Sequence, residues 1–162
     1  MTSAEFDLHG GRFTLRRAIA ADVGPIVELI AADQLRASVE STAPEHRARY
    51  DSAFAAIDAD PAHLLVVVCD ENDRVVATMQ LTVIPGLARA GATRLQIEAV
   101  RVRADQRGGG LGSAMIRWAV DEGARRGVAL VQLTSDATRT DARRFYERLG
   151  FTASHVGFKL AL

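Results

Sequence analysis

The sequence predicts one mixed α/β (α+β) domain: a mostly antiparallel central sheet of six or seven strands with helices on both faces. Three observations carry this. The run "HLLVVVCD" (63–70) is continuously apolar, as a strand covered on both faces must be. It is followed at once by "RVVATMQLTV" (74–83) and then "TRLQIEAVRV" (93–102), three strand-type segments joined by short turns. Downstream, strand and helix patterns alternate, which calls for a crossover unit on the same sheet.

In chain order, residues 1–11 read as a loose leader, and the domain as residues 12–162. "RFTLRRAI" (12–19) alternates apolar and polar residues and reads as a strand. Asp22 marks a helix start, Pro25 suits the first turn, and Ile26, Leu29 and Ile30 repeat at helical spacing up to Asp33. "LRASVESTAPEH" (35–46) is a polar connection. Pro44 opens a second helix with Tyr50, Phe54 and Ile57 on its apolar stripe, and Pro61 ends it. Strand 63–70, the turn "ENDR" and strand 74–83 form a hairpin that Pro85 and Gly86 close. Strand 93–102 leads into a glycine cluster. From Leu111 a helix carries Ala114, Met115, Trp118 and Ala119 on one face and Ser113, Arg117, Asp121 and Arg125 on the other, and Gly127 stops it. "VALVQLTS" (128–135) is a further buried strand, "DARRFYERLG" (141–150) a short helix, and "FTASHVGFKLAL" (151–162) one or two final strands.

Composition removes several functions. The chain of 162 residues carries 20 basic and 20 acidic side chains, so no global field favours nucleic acid or an anionic membrane. Cys69 is the single cysteine, which excludes a disulfide framework and a cysteine-based zinc site; it reads as a core residue. No His/Asp cluster has ligand spacing, so no metal is expected. Neither a signal-peptide pattern nor an apolar run of about 20 residues is present, and a cytoplasmic location is expected.

The stretch that carries chemistry is "VRVRADQRGGGLGSAM" (100–115). Gly108, Gly109, Gly110 and Gly112 cluster between a strand and a helix, at a cost in backbone entropy that only unusual dihedrals or a close approach justify. A strand, a glycine turn and a helix N-terminus make an anion site from main-chain amides and the helix dipole, with Arg107 adding charge. The plainer alternative is a tight turn, for which one or two glycines suffice. A P-loop needs Lys before its Ser or Thr, and here Gly112 precedes Ser113. A dinucleotide fingerprint needs a third glycine where Ser113 stands, and belongs to the first βα unit of a parallel sheet.

The spacing Arg107-x-x-Gly110-x-Gly112 resembles the signature of the GNAT superfamily of acyl-CoA-dependent N-acyltransferases, and "FYERLGF" (145–151) resembles that family's C-terminal aromatic helix. The resemblance implies a GNAT-like sheet and acetyl-CoA as co-substrate. It implies that the main chain of Val100 and Val102, with Arg101 between them, pairs with the pantetheine arm. It implies that Arg107 and the amides of Gly108, Gly109, Gly110, Leu111, Gly112 and Ser113 hold the pyrophosphate. The Val100 N–H would polarise the thioester carbonyl, and Tyr146 would protonate the departing thiolate.

Glu98, taken as lying on the same strand face as Val100 and Val102, is the expected base or else a carboxylate that draws in an ammonium group; Gln96 is a possible substrate contact. His63 and His155 are fallback bases. Where the family often has Asn, this chain has Arg139, which would touch a CoA phosphate or solvent; Arg143 and Arg144 read as a solvated face. The expected function is direct acetyl transfer to a primary amine of a small molecule, with a homodimer as the expected assembly. The alternative is a CoA-binding sensor without catalysis. The acceptor pocket is expected from the two N-terminal helices, the 35–46 connection and the loop 84–94.

Overall fold

The structure is a computed structural model in which residues 3–9, 11–33 and 41–161 are described. Six strands form one sheet in the order β1-β2-β3-β4-β5-β6. They are β1 (Ser3–Leu8), β2 (Gly11–Arg17), β3 (His63–Cys69), β4 (Val75–Ile84), β5 (Arg94–Val102) and β6 (Leu130–Leu133). All neighbours are antiparallel except β5 and β6, which run parallel across the crossover helix. The helices are α1 (Val23–Ala31), α2 (Arg47–Ala59), α3 (Ala88–Gly91), α4 (Leu111–Arg125) and α5 (Thr140–Arg148). Of these, α3 is one turn whose Arg89 and Ala90 sit at φ of 56° and 58°.

Each sheet face has its own core. On one, Leu64, Val66, Met79, Leu81, Leu95 and Ile97 meet Leu111, Met115, Ile116 and Ala119 of α4. On the other, Val67 and Cys69 pack with Ala18 and Ile26, backed by Ile30 of α1 and Phe54 of α2. Cys69, 2% exposed, is the core residue the sequence indicates. The β3–β4 turn is tied by Asp70, whose carboxylate accepts the N–H of Asn72 and of Arg74, both at 3.0 Å. Asp22, 5% exposed, starts α1 and takes both Nη atoms of Arg16 at 2.7 and 2.9 Å. Burial opposes ionisation there, but Arg16 and the Ile19 N–H outweigh it and hold the Asp22 carboxyl below its usual range.

Three expectations are corrected at the ends of the chain. Ser3–Leu8 is no loose leader: it is β1, pairing with β2 from Ser3↔Arg16 to Leu8↔Gly11. Ala4, Phe6 and Leu8 alternate inward and pack on the α4-side core, which is what holds the strand. The strand expected over 128–135 is only Leu130–Leu133. Residues 151–161 form no strand. Among the described residues no helix is long and apolar enough to cross a membrane.

Candidate active site

The site begins with a mismatch in strand length. Pairing of β5 with β6 runs from Arg94↔Leu130 to Ile97↔Leu133 and stops, whereas β5 continues to Val102. On its other side β5 remains bonded to β4 as far as Val102↔Ala77. The stretch from Glu98 to Val102 therefore offers main-chain groups on the β6 side.

Within this stretch the strand is bulged. Gln80 faces Glu98 but Thr78 faces Arg101, so two steps on β4 meet three on β5. The extra residue is absorbed at Ala99, with φ of 51°, a left-handed conformation unusual for a non-glycine residue. The bulge breaks the alternation and corrects the expected face of Glu98. Gln96, Glu98 and Arg101 share one face with Thr82, Gln80 and Thr78, while Val100 and Val102 pack on the other with the α4-side core.

The face bearing Glu98 is a polar row. His63 Nδ1 lies 3.0 Å from Thr82 Oγ1 and 3.4 Å from Gln80 Nε2. Gln132 on β6 donates to Gln96 Oε1 at 2.7 Å, fixing a side chain only 8% exposed. Glu98 itself is exposed. His155, also exposed, bonds only its neighbour Ser154 at 2.7 Å. Arg143 and Arg144 pair with Glu147 and Asp141 on the outer surface of α5, the solvated face expected of them.

Beyond Val102 the chain turns through Ala104–Gln106 into the glycines. Gly108 and Gly110 take φ of 83° and 91°, which explains why glycine stands at both. Gly110 caps α4 without a side-chain bond, so the amides of the first turn, Leu111 to Ser113, have no acceptor within the helix. Space in front of the turn is open: a Cβ on Gly108 or Gly109 would meet nothing within 4 Å. The exposed Arg107 stands beside it and is tethered by its Nε to the Val102 carbonyl at 3.0 Å. Gly112 faces the other way, 3.5 Å from the Phe145 ring at its would-be Cβ, and lets α4 and α5 approach. These residues fit an extended anionic ligand: the β6-side edge of β5, whose Val100 and Val102 carbonyls accept from Arg101 Nη1 at 2.7 Å and Arg107 Nε at 3.0 Å, leads to the amides of the glycine turn.

Tyr146 sits on α5, half-buried, edge-on to Phe145 and Phe151 at 5.0 and 6.0 Å between centroids. Burial pushes its phenol above the usual value, against the opposite pull of Arg101 and Arg139. Those two cations meet on one residue the sequence did not single out. Asp33, just past α1 and with a side chain 10% exposed, takes Arg101 Nη2 at 2.8 Å and both carboxylate oxygens face Arg139 Nη2. One carboxylate thus ties α1, β5 and the N-cap of α5 together. Arg139 is engaged with Asp33 rather than turned to solvent, and no local signal announces a partner 106 residues away. Residues 35–40 of the expected acceptor connection lie outside the described residues. The depression at the β1–β2 turn, about 560 Å³ and lined by Asp7, Leu8, Gly11, Arg12 and Glu71, involves none of the residues above.

Comparison with known proteins identifies the family. The model of the acetyltransferase (GNAT) family matches residues 28–151. An aminoalkylphosphonate N-acetyltransferase of Salmonella typhimurium is 37% identical over 67 residues, 41% of this chain and 44% of that protein. A mycothiol acetyltransferase of Kocuria rhizophila is 35% identical over 98 residues, 60% of this chain and 32% of that protein. The chain spans less than half the length of either curated relative. Among solved structures, one described as a transcriptional regulator from Bacillus halodurans C-125 is 38% identical, with a TM-score of 0.89 over 93% of this chain and 99% of the other. The mixed sheet, the glycine turn before α4 and the family match agree: this chain belongs to the GNAT acetyltransferase family.

Proposed function

We propose that the chain is one catalytic domain that moves an acetyl group from acetyl-CoA to the primary amine of a small molecule. The observation that carries this is the run of β5 past the end of β6 into the glycine turn and the free N-terminus of α4. The β6-side edge of β5 suits the amide groups of a pantetheine arm, and the amides at 108–113 with Arg107 suit a pyrophosphate. A small-molecule acceptor is supported by the relatives, named for an aminoalkylphosphonate and for mycothiol.

In this reading the enzyme positions, polarises and moves protons, with no covalent intermediate. Glu98, exposed on the polar face, takes the proton of the incoming ammonium directly or through a water. Gln96 contacts the acceptor. The Val100 N–H at the bulge polarises the thioester carbonyl as the amine nitrogen bonds to the acetyl carbon. As the carbon–sulfur bond breaks, Tyr146 gives its hydroxyl proton to the thiolate. A phenol is protonated at neutral pH, as an acid must be, and burial pushes this one further up. Arg139 holds α5 against α1 through Asp33 and presents its outer edge to a CoA phosphate.

A thiol-release assay over a panel of amines tests the reading. The native chain releases CoA with at least one amine, and Tyr146→Phe lowers kcat about 10²-fold or more with KM for acetyl-CoA little changed. Glu98→Gln lowers the rate most at low pH, where ammonium predominates. Native rates in Tyr146→Phe would remove the tyrosine from the reaction. A second reading, a CoA-binding module without transfer, is favoured by the likeness to a protein described as a transcriptional regulator. It predicts acetyl-CoA binding with no thiol release from any amine.

A further inference from the structure

The centre of the sheet is apolar on one face and polar on the other. Toward α4, β4 and β5 present Met79, Leu81, Leu95 and Ile97, all buried. Toward α1 and α2, β3 is still apolar, with Leu65, Val67 and Cys69 under the helices. On that same face β4 carries Gln80 and Thr82, β5 carries Gln96 and Glu98, and β6 carries Gln132. The register sets His63, Thr82, Gln96 and Gln132 in one line across β3, β4, β5 and β6, with Gln80 and Glu98 in the next line. Amides and hydroxyls in the middle of a sheet cost stability unless they are hydrogen-bonded, so such a line needs partners within the chain or from outside it.

The chain supplies some of these partners. Gln132 donates to Gln96 Oε1 at 2.7 Å, and Gln96 Nε2 donates to the Ile97 carbonyl at 3.3 Å. Gln80 Nε2 lies 3.4 Å from His63 Nδ1, and an amide nitrogen only donates, so Nδ1 accepts from it and from the Thr82 hydroxyl at 3.0 Å. The imidazole proton then stands on Nε2, 3.8 Å from Asp60 Oδ2. Among the described residues neither Gln80 Oε1 nor Thr82 Oγ1 accepts a bond, and both side chains are only half-buried. Glu98 stands directly across from Gln80, exposed, and is the one carboxylate of the two lines.

We propose that this polar line is the floor of the acceptor site and selects a primary amine that carries hydroxyl groups close to its nitrogen. The inference rests on the acetyl transfer proposed above and names the class of its acceptor. The ammonium group meets Glu98, and the hydroxyls meet Gln80, Thr82 and the Gln96–Gln132 pair. Cross-strand neighbours stand about 5 Å apart, which sets those hydroxyls near the nitrogen. A hydroxyl both donates and accepts, and so do the amide, hydroxyl and imidazole groups of this floor. A carboxylate or phosphate only accepts; it would leave Gln80 Oε1 without a donor and lie against Glu98. An alkyl group would satisfy none of them and would cover polar atoms that water otherwise reaches.

Nuclear magnetic resonance of the full chain with CoA tests it, by titration with serinol, with the alkyl isostere that has methyl in place of each hydroxyl, and with β-alanine. Serinol is expected to move the side-chain amide signals of Gln80 and Gln96 and to bind at least about tenfold tighter than the isostere. In Thr82→Val, which keeps the shape of the side chain, and in Gln80→Met that ratio falls to about threefold or less, with binding of the isostere unchanged. An isostere that binds as well as serinol overturns the proposal. So does tighter binding of β-alanine, a preference for serinol that survives both substitutions, or no binding of any of the three. Thiol release separates the floor from the transfer. Release from the isostere as fast as from serinol keeps the transfer and overturns the proposal; selective binding of serinol without release keeps the floor and overturns the transfer.

Discussion

Replacing Asp33 by Asn leaves the shape of the side chain and removes the one charge that Arg101 and Arg139 share. Removing one partner of a buried ion pair costs about 3–5 kcal/mol. Here the carboxylate is 10% exposed but the guanidinium groups are 18% and 33% exposed, so solvent screens part of the loss. Asn can also still accept hydrogen bonds. We expect about 2–3 kcal/mol, which for a domain of this size lowers Tm by about 5–10 °C. A second readout follows from Tyr146, toward which both cations act. With their counter-charge gone they favour the phenolate more strongly, so Tyr146 titrates at lower pH than in the parent. The chain has two tyrosines, so ultraviolet titration in a Tyr50→Phe background reports Tyr146 alone. An unchanged Tm together with an unmoved Tyr146 titration would refute the view that Asp33 organises this corner.

Asp22→Asn tests the acid limb of stability. A carboxyl held below its usual range contributes above the unfolded value near pH 4, and that contribution is lost as pH falls through the folded value. The variant should therefore lose Tm at neutral pH and show a shallower fall between about pH 5 and pH 2; parallel curves would count against it. Gly123→Ala places a Cβ 3.0 Å from Val131, 3.1 Å from Val128 and 3.3 Å from Leu95. Overpacking of about 1–3 kcal/mol should outweigh the helix-propensity gain of about 1 kcal/mol, and a rise in Tm would show that the valines yield freely. Gly110→Ala forces a Cβ into a φ of 91° at the start of α4. Its expected cost is about 1–2 kcal/mol, with weaker binding of acetyl-CoA in a titration. Full affinity in a folded variant would separate the turn from the ligand.

The central strands and α4 were legible because their periodicity is strong: β3 reads as buried and is, and Met115, Trp118 and Ala119 face the core as their spacing predicts. The glycine turn was legible because positive φ selects glycine at 108 and 110. Ala99 adopts positive φ without being glycine, so the bulge left no trace in the sequence, and the face of Glu98 was misread by one residue. β1 carried a signal in the alternation of Ala4, Phe6 and Leu8, but six residues with two acids beside a glycine pair resemble a polar tail. The ion pairs of Asp33 depend on tertiary approach alone. The alternating apolar residues near the end of the chain predict a strand, but residues 151–161 form none and Val156, Phe158 and Leu160 are exposed.

Isothermal titration of the purified chain with acetyl-CoA, run beside ATP and NADH, tests most directly whether the β6-side edge of β5 and the glycine turn form one acyl-CoA site. Micromolar binding of acetyl-CoA alone is the predicted result. No heat with acetyl-CoA, or equal binding of ATP, would contradict it and leave the turn a general anion site.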